Sequence, residues 1–531
     1  MKIVLAEKVS PATLAVFKAE PDWKILTHDQ VTDLPASLAD ADGLVVRSAV
    51  QVDDKLLAAA PKLRVIGRAG VGVDNIDADA ATRRGIVVMN TPGANAVAVA
   101  ELTIGLMLGL ARMVPKANTT MHAGKWEKKS LQGVELRNKK LGILGLGRIG
   151  LEVSRRARSF GMELIGHDPF VSAAVARENA IKLVSLEELF TESDYLTLHV
   201  GLTPQTTGII NAQTIATMKK GVRIINCARG ELIVEEALAD GLKNGQVGGA
   251  GLDVFHQEPL KNSPFFGLEN VILTPHIAGS TAEAQEAVGV QIALQVREYL
   301  KLGVVQNAVN LPSLSHEEYL EVAPYIEMAG RLGAFLAQFP QGGIESIQLS
   351  YSGRIAEGKT ELIRNSAIAG VLGHSENVNR INAAAVAQER GIRIHEEKEE
   401  AASGGAGSVL KLKLHTPSSD VTASATVLHG SSARLLSLDG IDIEAPLQGN
   451  LLTMHNRDVP GVIGRVGTIL GDHKINIANF ALGRSDRSER VPQGNALAVV
   501  QIDGSVTASV LDALRGVDAI LQVHLVDLDG D

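Results

Sequence analysis

The chain has 531 residues, with 51 Lys and Arg against 60 Asp and Glu, a net charge of −9. That length exceeds one core and predicts three or four domains of roughly 100–200 residues each. The acidic balance disfavours a non-specific nucleic-acid binder, and 3% aromatics disfavours a base-stacking or carbohydrate platform. A single cysteine, Cys227, excludes an intrachain disulfide and a cysteine metal site, and fits a reducing compartment.

The opening run Met1 to Ala6 is apolar, but Glu7-Lys8 interrupts it at once, so it does not read as a signal peptide. The longest apolar stretch, Leu102 to Leu110, is far short of the ~20 residues a spanning helix needs. A cytoplasmic protein without membrane partners is expected.

Lys2 to Ala6, Gly43 to Arg47 and Val65 to Gly67 read as strands, with helices Ala12 to Lys18 and Asp53 to Ala60 between them. Such alternation predicts a parallel sheet covered on both faces. A second α/β series follows: strand Leu141 to Gly145, helix Arg148 to Phe160 and strand Glu163 to Gly166. Tyr195 to His199, Val222 to Asn226, Gly249 to Asp253 and Val271 to Thr274 continue it. A long helical pattern, Ala282 to Leu300, is broken at Asn310-Leu311-Pro312-Ser313. Residues 311–447 form a different block without a catalytic pattern, and Glu396 to Ser408 reads as a loop. From about Asn450 the order is strand, helix, strand, strand, helix, strand, with a helix opening at Pro460.

Gly145-x-Gly147-x-x-Gly150 directly follows the strand Leu141 to Leu144 and opens a helix. The first glycine allows a tight turn, the second lets backbone approach a pyrophosphate, and the third packs helix on strand. The helix N-terminus then offers N–H donors to the phosphates. Asp168, 18 residues after Gly150, ends the next strand, where a carboxylate accepts from ribose hydroxyls. Pro169 and Phe170 follow, not arginine, so NAD is expected over NADP. Because this fingerprint lies near residue 145, a separate α/β domain precedes it. The helix after Thr281 is expected to return to that first domain and leave a cleft between the two.

Three segments follow strands of the second series: Asn226 to Gly230, Asp253 to Pro259 and Thr274 to Gly279. Ligands of an open parallel sheet sit beyond the carboxyl ends of its strands, so the three can converge. Oxidising an alcohol needs a base, and His276 titrates near neutrality. Glu258 can hold the imidazole in one tautomer, and Arg229 can grip a carboxylate. Each residue taken singly has a plainer role: a structural histidine, a solvated loop acid, a surface arginine. Cys227 reads as a small buried residue near the cofactor and not as a nucleophile.

The segments GLGRIG, NCARGELIVEEAL, GLDVFHQEP and NVILTPHIAGST, with VVRSAV and RVIGRAGVGVDNID upstream, resemble the D-isomer-specific 2-hydroxyacid dehydrogenases. The whole chain is similar to the long branch of that family, with an intervening domain and a C-terminal ACT domain. The fold implied is two doubly wound parallel-sheet α/β domains, then an α+β intervening domain and a ferredoxin-like ACT domain. The boundaries implied are 1–96 with 281–310 for substrate, 97–280 for NAD, 311–447 for the intervening domain and 450–531 for ACT.

The resemblance implies NAD-dependent oxidation of 3-phospho-D-glycerate to 3-phosphooxypyruvate, the first step towards serine. His276 would be the acid/base, Glu258 its support and Arg229 the carboxylate ligand. Cofactor contacts would fall on Gly145, Gly147, Arg148, Ile149, Gly150, Asp168, Val71, Val200, Cys227, Arg229, Asp253, His276, Ala278 and Gly279. Val71 and Val200 stand where relatives often carry threonine, which would remove hydroxyl contacts but not backbone ones. Substrate contacts would be Arg47, Ser48, Gly70 and Lys128, since a phosphate monoester calls for cations. Asn456, Asp458 and Asn476 match an L-serine effector site formed between paired ACT domains, which implies a homodimer or tetramer. The plainer alternative is that Asp458 only caps the helix beginning near Pro460. The competing readings are a glyoxylate or hydroxypyruvate reductase of the same fold, and a non-catalytic NAD-sensing interaction protein.

Overall fold

The computed structural model describes residues 1–312, 316–340, 342–358, 360–373, 378–399, 407–485 and 494–528. Its first sheet has five parallel strands in the order Lys24–Leu26, Lys2–Leu5, Gly43–Val46, Val65–Arg68, Val87–Met89. The strands are near-continuous apolar runs because both faces are covered. Ile3 and Leu5 enter one core and Val4 the opposite one. Helix Ala282–Leu302 returns to this sheet, with Ile292 and Val296 in the same core as Ile3 and Val65. Thr281 caps its start by accepting from the Ala284 amide at 3.1 Å, and Gly303 ends it in the left-handed conformation.

The second sheet has seven parallel strands, ordered Val271–Leu273, Val247–Leu252, Val222–Asn226, Tyr195–Leu198, Lys140–Leu144, Glu163–His167, Lys182–Leu183. Chain order reverses between Lys140–Leu144 and Tyr195–Leu198. This opens a crevice at the carboxyl edge, where the loops after Leu144, Leu198, Asn226, Leu252 and Leu273 all emerge. The apolar run Leu102 to Leu110 lies inside helix Ala96–Arg112, which packs against this sheet. Among the described residues no single helix is long and apolar enough to cross a membrane.

A six-stranded mixed sheet follows, with helices His316–Leu336 and Glu361–Leu372 packed together beside it. The last sheet is antiparallel, ordered Ile477–Arg484, Asn495–Ile502, Asn450–Arg457, Ile520–Asp527. Helices Val462–Asp472 and Ala508–Arg515 cover one of its faces, giving the ferredoxin-like arrangement. Its other face, through Leu451, Leu497, Val499 and Val526, joins the core that runs through the third unit into the first. Side-chain hydrogen bonds reinforce this continuity. Asn379 donates to Gly85 O at 3.0 Å, Arg380 to Gly303 O at 2.8 Å, and Gln338 to Asp527 O at 3.0 Å.

One local expectation changes. Glu396–Glu399, read as loop, complete the strand Arg393–Glu399, which runs parallel to Ser346–Ser352 at the sheet edge. Charged side chains suit an edge that must not recruit another strand. Glu396 is held further by the Tyr351 hydroxyl at 2.9 Å and the Arg364 guanidinium at 3.0 Å. Residues 400–406 of that stretch, and Ser313 of the predicted break, lie outside the described residues.

Candidate active site

The glycine loop divides into packing positions and an open one. Gly145 has φ of +94°, and a Cβ there would lie 2.6 Å from the His199 carbonyl oxygen and 2.9 Å from Val200 Cγ1. A Cβ on Gly150 would lie 2.1 Å from Gly145 O. The protein's own backbone therefore demands both. Gly147, which begins helix Arg148–Ser159, meets nothing within 4 Å of a built Cβ. That open space at a helix N-terminus is a cradle for a pyrophosphate. Asp168 accepts from the Leu146 amide at 2.8 Å and the Phe170 amide at 2.8 Å. Its carboxylate is thus tied to the glycine loop, with a second lone pair on each oxygen. Arg148 donates to Pro92 O, and Ile149 packs in the domain core. Cys227 is buried, and burial pushes its thiol up to about 12 against an opposing hydrogen bond from Thr103. It is no nucleophile at neutral pH.

His276 and Glu258 meet beyond the carboxyl ends of neighbouring strands, Nδ1 to Oε2 at 2.6 Å. The Glu258 bond holds the imidazole pKa above its ordinary value against partial burial, with the Glu258 and Asp253 charges adding to the rise. Burial works to raise the Glu258 carboxyl, but its bonds from His276 and the Phe255 amide, together with the nearby charges of His276 and Arg229, leave it lowered. Nδ1–H faces Glu258, so the lone pair sits on Nε2.

The turn carrying His276 is built on Asp253, which is fully buried. Asp253 Oδ1 accepts from the Thr274 hydroxyl at 2.6 Å and the Ile277 amide at 2.9 Å, and Oδ2 from the Ala278 amide at 2.8 Å. Its carbonyl accepts from the His276 amide at 2.9 Å, fixing His276 at a φ of +53°. Asp253, expected at the cofactor, accepts from the histidine turn through both its oxygens. Asp253→Ala would leave those donors unpaired, at about 1–3 kcal/mol for each buried one. Lowered thermal stability together with a lowered turnover rate is expected, checked by a melting curve and initial rates. Gly279 lies beside Asn95 and accepts from Gln285 at 3.2 Å, closing the turn against the inter-domain linker.

Arg229 approaches from the segment Asn226 to Gly230. Asn226 holds its backbone by donating to Arg229 O at 2.7 Å. The next residue, Gly230, is packed so tightly that a Cβ would lie 2.0 Å from the Phe255 carbonyl carbon, which brings Arg229 against the Glu258 loop. From the first sheet come Arg47 and Arg68. Arg47 donates to Lys8 O at 3.3 Å, and its amide donates to Glu7 at 2.8 Å, beside an exposed Ser48. Arg68 folds over Gly70, where a Cβ would lie 1.5 Å from its Nη1. Burial first, and then the charge of Arg229, lowers the Arg68 pKa, and its Nε is buried with no partner among the described residues. Val71 offers its carbonyl to Asn90 at 2.6 Å.

Arg68 escaped the sequence reading, although it ends a strand of a parallel sheet inside a quoted motif, which is the position that should have marked it. Among the described residues, no hydrogen bond or ion pair joins Lys128 to these arginines. It lies in the exposed turn Lys128–Ser130, which follows helix Val114–His122.

Comparison with known proteins places this geometry. Residues 104–278 match the NAD binding domain of the D-isomer specific 2-hydroxyacid dehydrogenases. Residues 321–439 match the D-3-phosphoglycerate dehydrogenase intervening domain, and 450–519 the ACT domain. The D-3-phosphoglycerate dehydrogenase of Methanocaldococcus jannaschii is 38% identical, over 99% of this chain and 100% of its own. That of Bacillus subtilis is 37% identical over 99% of each. The chain belongs to the D-3-phosphoglycerate dehydrogenase family. Among solved structures, a glyoxylate reductase from Paecilomyes thermophila superposes with a TM-score of 0.54 at 32% identity, covering 58% of this chain and 98% of its own. A Staphylococcus aureus NAD-dependent formate dehydrogenase in complex with NAD gives 0.52 at 27% identity, covering 59% of this chain and 100% of its own.

In the ACT domain, Asn456 is buried and its Oδ1 has no partner among the described residues, while its Nδ2 donates to Arg457 O at 2.9 Å. Asn476 donates to Asp503 at 2.7 Å just ahead of the strand Ile477–Arg484. The cap of helix Val462–Asp472 is Gly461, in a left-handed conformation, so Asp458 does not hold that position. Asp458 instead lies 3.4 Å from the Arg484 guanidinium.

Proposed function

We propose that the chain oxidises 3-phospho-D-glycerate at C2 to 3-phosphooxypyruvate, with NAD as cofactor, at the entry to serine synthesis. The observation that carries this reading is the His276–Glu258 pair with Arg229 beside it at the carboxyl edge of a sheet bearing an open glycine cradle. NAD, when bound, supplies the hydride acceptor for C2. Gly145, Gly147, Gly150 and the helix beginning at Arg148 would hold its pyrophosphate, and Asp168 its adenosine ribose. His276 Nε2 takes the hydroxyl proton, and Glu258 stabilises the resulting imidazolium. Arg229 grips the carboxylate, while Arg47 and Arg68 face a phosphate carrying nearly two charges.

The pH dependence follows from the raised imidazole pKa. Oxidation needs neutral His276, so the rate climbs as pH rises through that pKa. Glu258→Gln removes the carboxylate that raises it, and the acid limb of kcat/KM should move to lower pH. A pH–rate profile of the two enzymes measures this.

The reading is tested by NADH absorbance with 3-phosphoglycerate, D-lactate and glycerate in parallel. A specificity constant highest for 3-phosphoglycerate is expected. Preference for an unphosphorylated acid would move the chain to the reductases, and NAD binding without turnover would make it a sensor. The ACT domain would take L-serine at Asn456, Asp458 and Asn476 between paired chains. Serine titration that alters neither activity nor calorimetric heat would reject the effector reading.

A further inference from the structure

We propose that Asp74 is a positioning residue that sets the Arg229 guanidinium across the cleft, so that the arginine grips a carboxylate only when the two α/β domains are closed. This deepens the reading above and rests on its assignment of Arg229. Asp74 belongs to the loop after strand Val65–Arg68 of the first sheet, and Arg229 to the loop after strand Val222–Asn226 of the second. A single oxygen, Asp74 Oδ2, accepts from Arg229 Nε at 3.1 Å and lies 3.0 Å from Nη2. Nη1 donates to Ala228 O at 2.7 Å. These contacts hold one edge of the guanidinium and its root. They leave N–H groups on both terminal nitrogens, the fork that meets a carboxylate with two parallel bonds.

The Asp74 loop is itself anchored. Asn75 donates to Arg47 O at 3.0 Å and Val50 O at 2.7 Å, and Asn90 donates to Val71 O at 2.6 Å. Arg229 lies so close to this loop that a Cβ on Gly72 would fall 1.8 Å from Nη2 and would displace the guanidinium. With Arg47 and Arg68 nearby, Arg229 is one of three cations in the cleft, and the Asp74 charge opposes its expulsion from the other two. Opening the domains would part Asp74 from Arg229 and free the guanidinium to turn. The Asp74 side chain is 67% exposed, so the pair adds little to folding stability. Its effect falls on substrate binding.

The test compares Asp74→Ala, Asp74→Asn and Asp74→Glu, alone and combined with Arg229→Ala. For Asp74→Ala, kcat/KM for 3-phosphoglycerate should fall roughly ten- to a hundredfold, mostly through KM. The melting temperature and the NADH affinity, read by fluorescence titration, should stay at the wild-type values. Asp74→Asn, of the same shape, should show a smaller loss, and Asp74→Glu a partial rescue. In the Arg229→Ala background, Asp74→Ala should add nothing. Quenching of bound NADH fluorescence by 3-phosphoglycerate gives the same comparison without turnover. An unchanged KM, losses that multiply with those of Arg229→Ala, or an equal loss of NADH binding would each overturn the inference. Wild-type inactivity towards every hydroxyacid would instead overturn the functional reading. An active wild type that is impaired by Arg229→Ala and indifferent to Asp74→Ala would overturn the Asp74 inference alone.

Discussion

Replacing His276 by alanine is expected to lower turnover of 3-phosphoglycerate by roughly 10²–10⁴-fold, the range a positioned acid/base contributes. The affinity for NAD should hardly move. The side chain that is lost makes its one described hydrogen bond to Glu258, and the turn beneath it is held by backbone amides on Asp253. That separation makes the variant informative, since the scaffold keeps its bonds when the imidazole leaves. Single-turnover rates with a parallel NADH fluorescence titration would measure both quantities. A rate within a few-fold of wild type would remove His276 from the chemistry.

The second large effect distinguishes two glycines of the same motif. Gly150→Ala forces a methyl to within 2.1 Å of a backbone oxygen, which cannot yield without moving the loop off the strand. A destabilisation of about 1–3 kcal/mol is expected, visible as a lowered melting temperature in the absence of nucleotide. Gly147→Ala places its methyl in open space, so the melting temperature should hold. That methyl would occupy the volume a pyrophosphate needs, and NAD affinity should drop by more than about tenfold. Calorimetric titration together with melting curves separates the two cases. A Gly147→Ala variant with wild-type NAD affinity would show that the cradle is not where the phosphates sit.

Much of this molecule was legible along the chain because the information is local. Strands such as Val222–Asn226 declare themselves by apolar runs between polar breaks, and the glycine fingerprint needs only the strand before it and the helix after it. That His276, Glu258 and Arg229 would meet was legible because each follows such a strand, and parallel strands deliver their following loops to one edge. The middle block was opaque for the converse reason. Its strand Arg393–Glu399 is almost entirely charged and exposed, and it holds its place by pairing with a strand some 47 positions earlier. A sheet edge bears no periodic signature that a window of residues can detect.

The sequence by itself determined the α/β character of the first two units, the glycine loop between strand and helix, and which candidate side chains follow the strands of the second sheet. Each is written in residue type and short spacing. Only the tertiary structure decided which groups face one another: Arg68 folded against Gly70, Asp74 reaching Arg229 from the other sheet, and Asp253 accepting from the histidine turn. These are relations between residues up to 155 positions apart. They depend on how two sheets are set against each other by a returning helix, and a linear pattern holds no record of that distance.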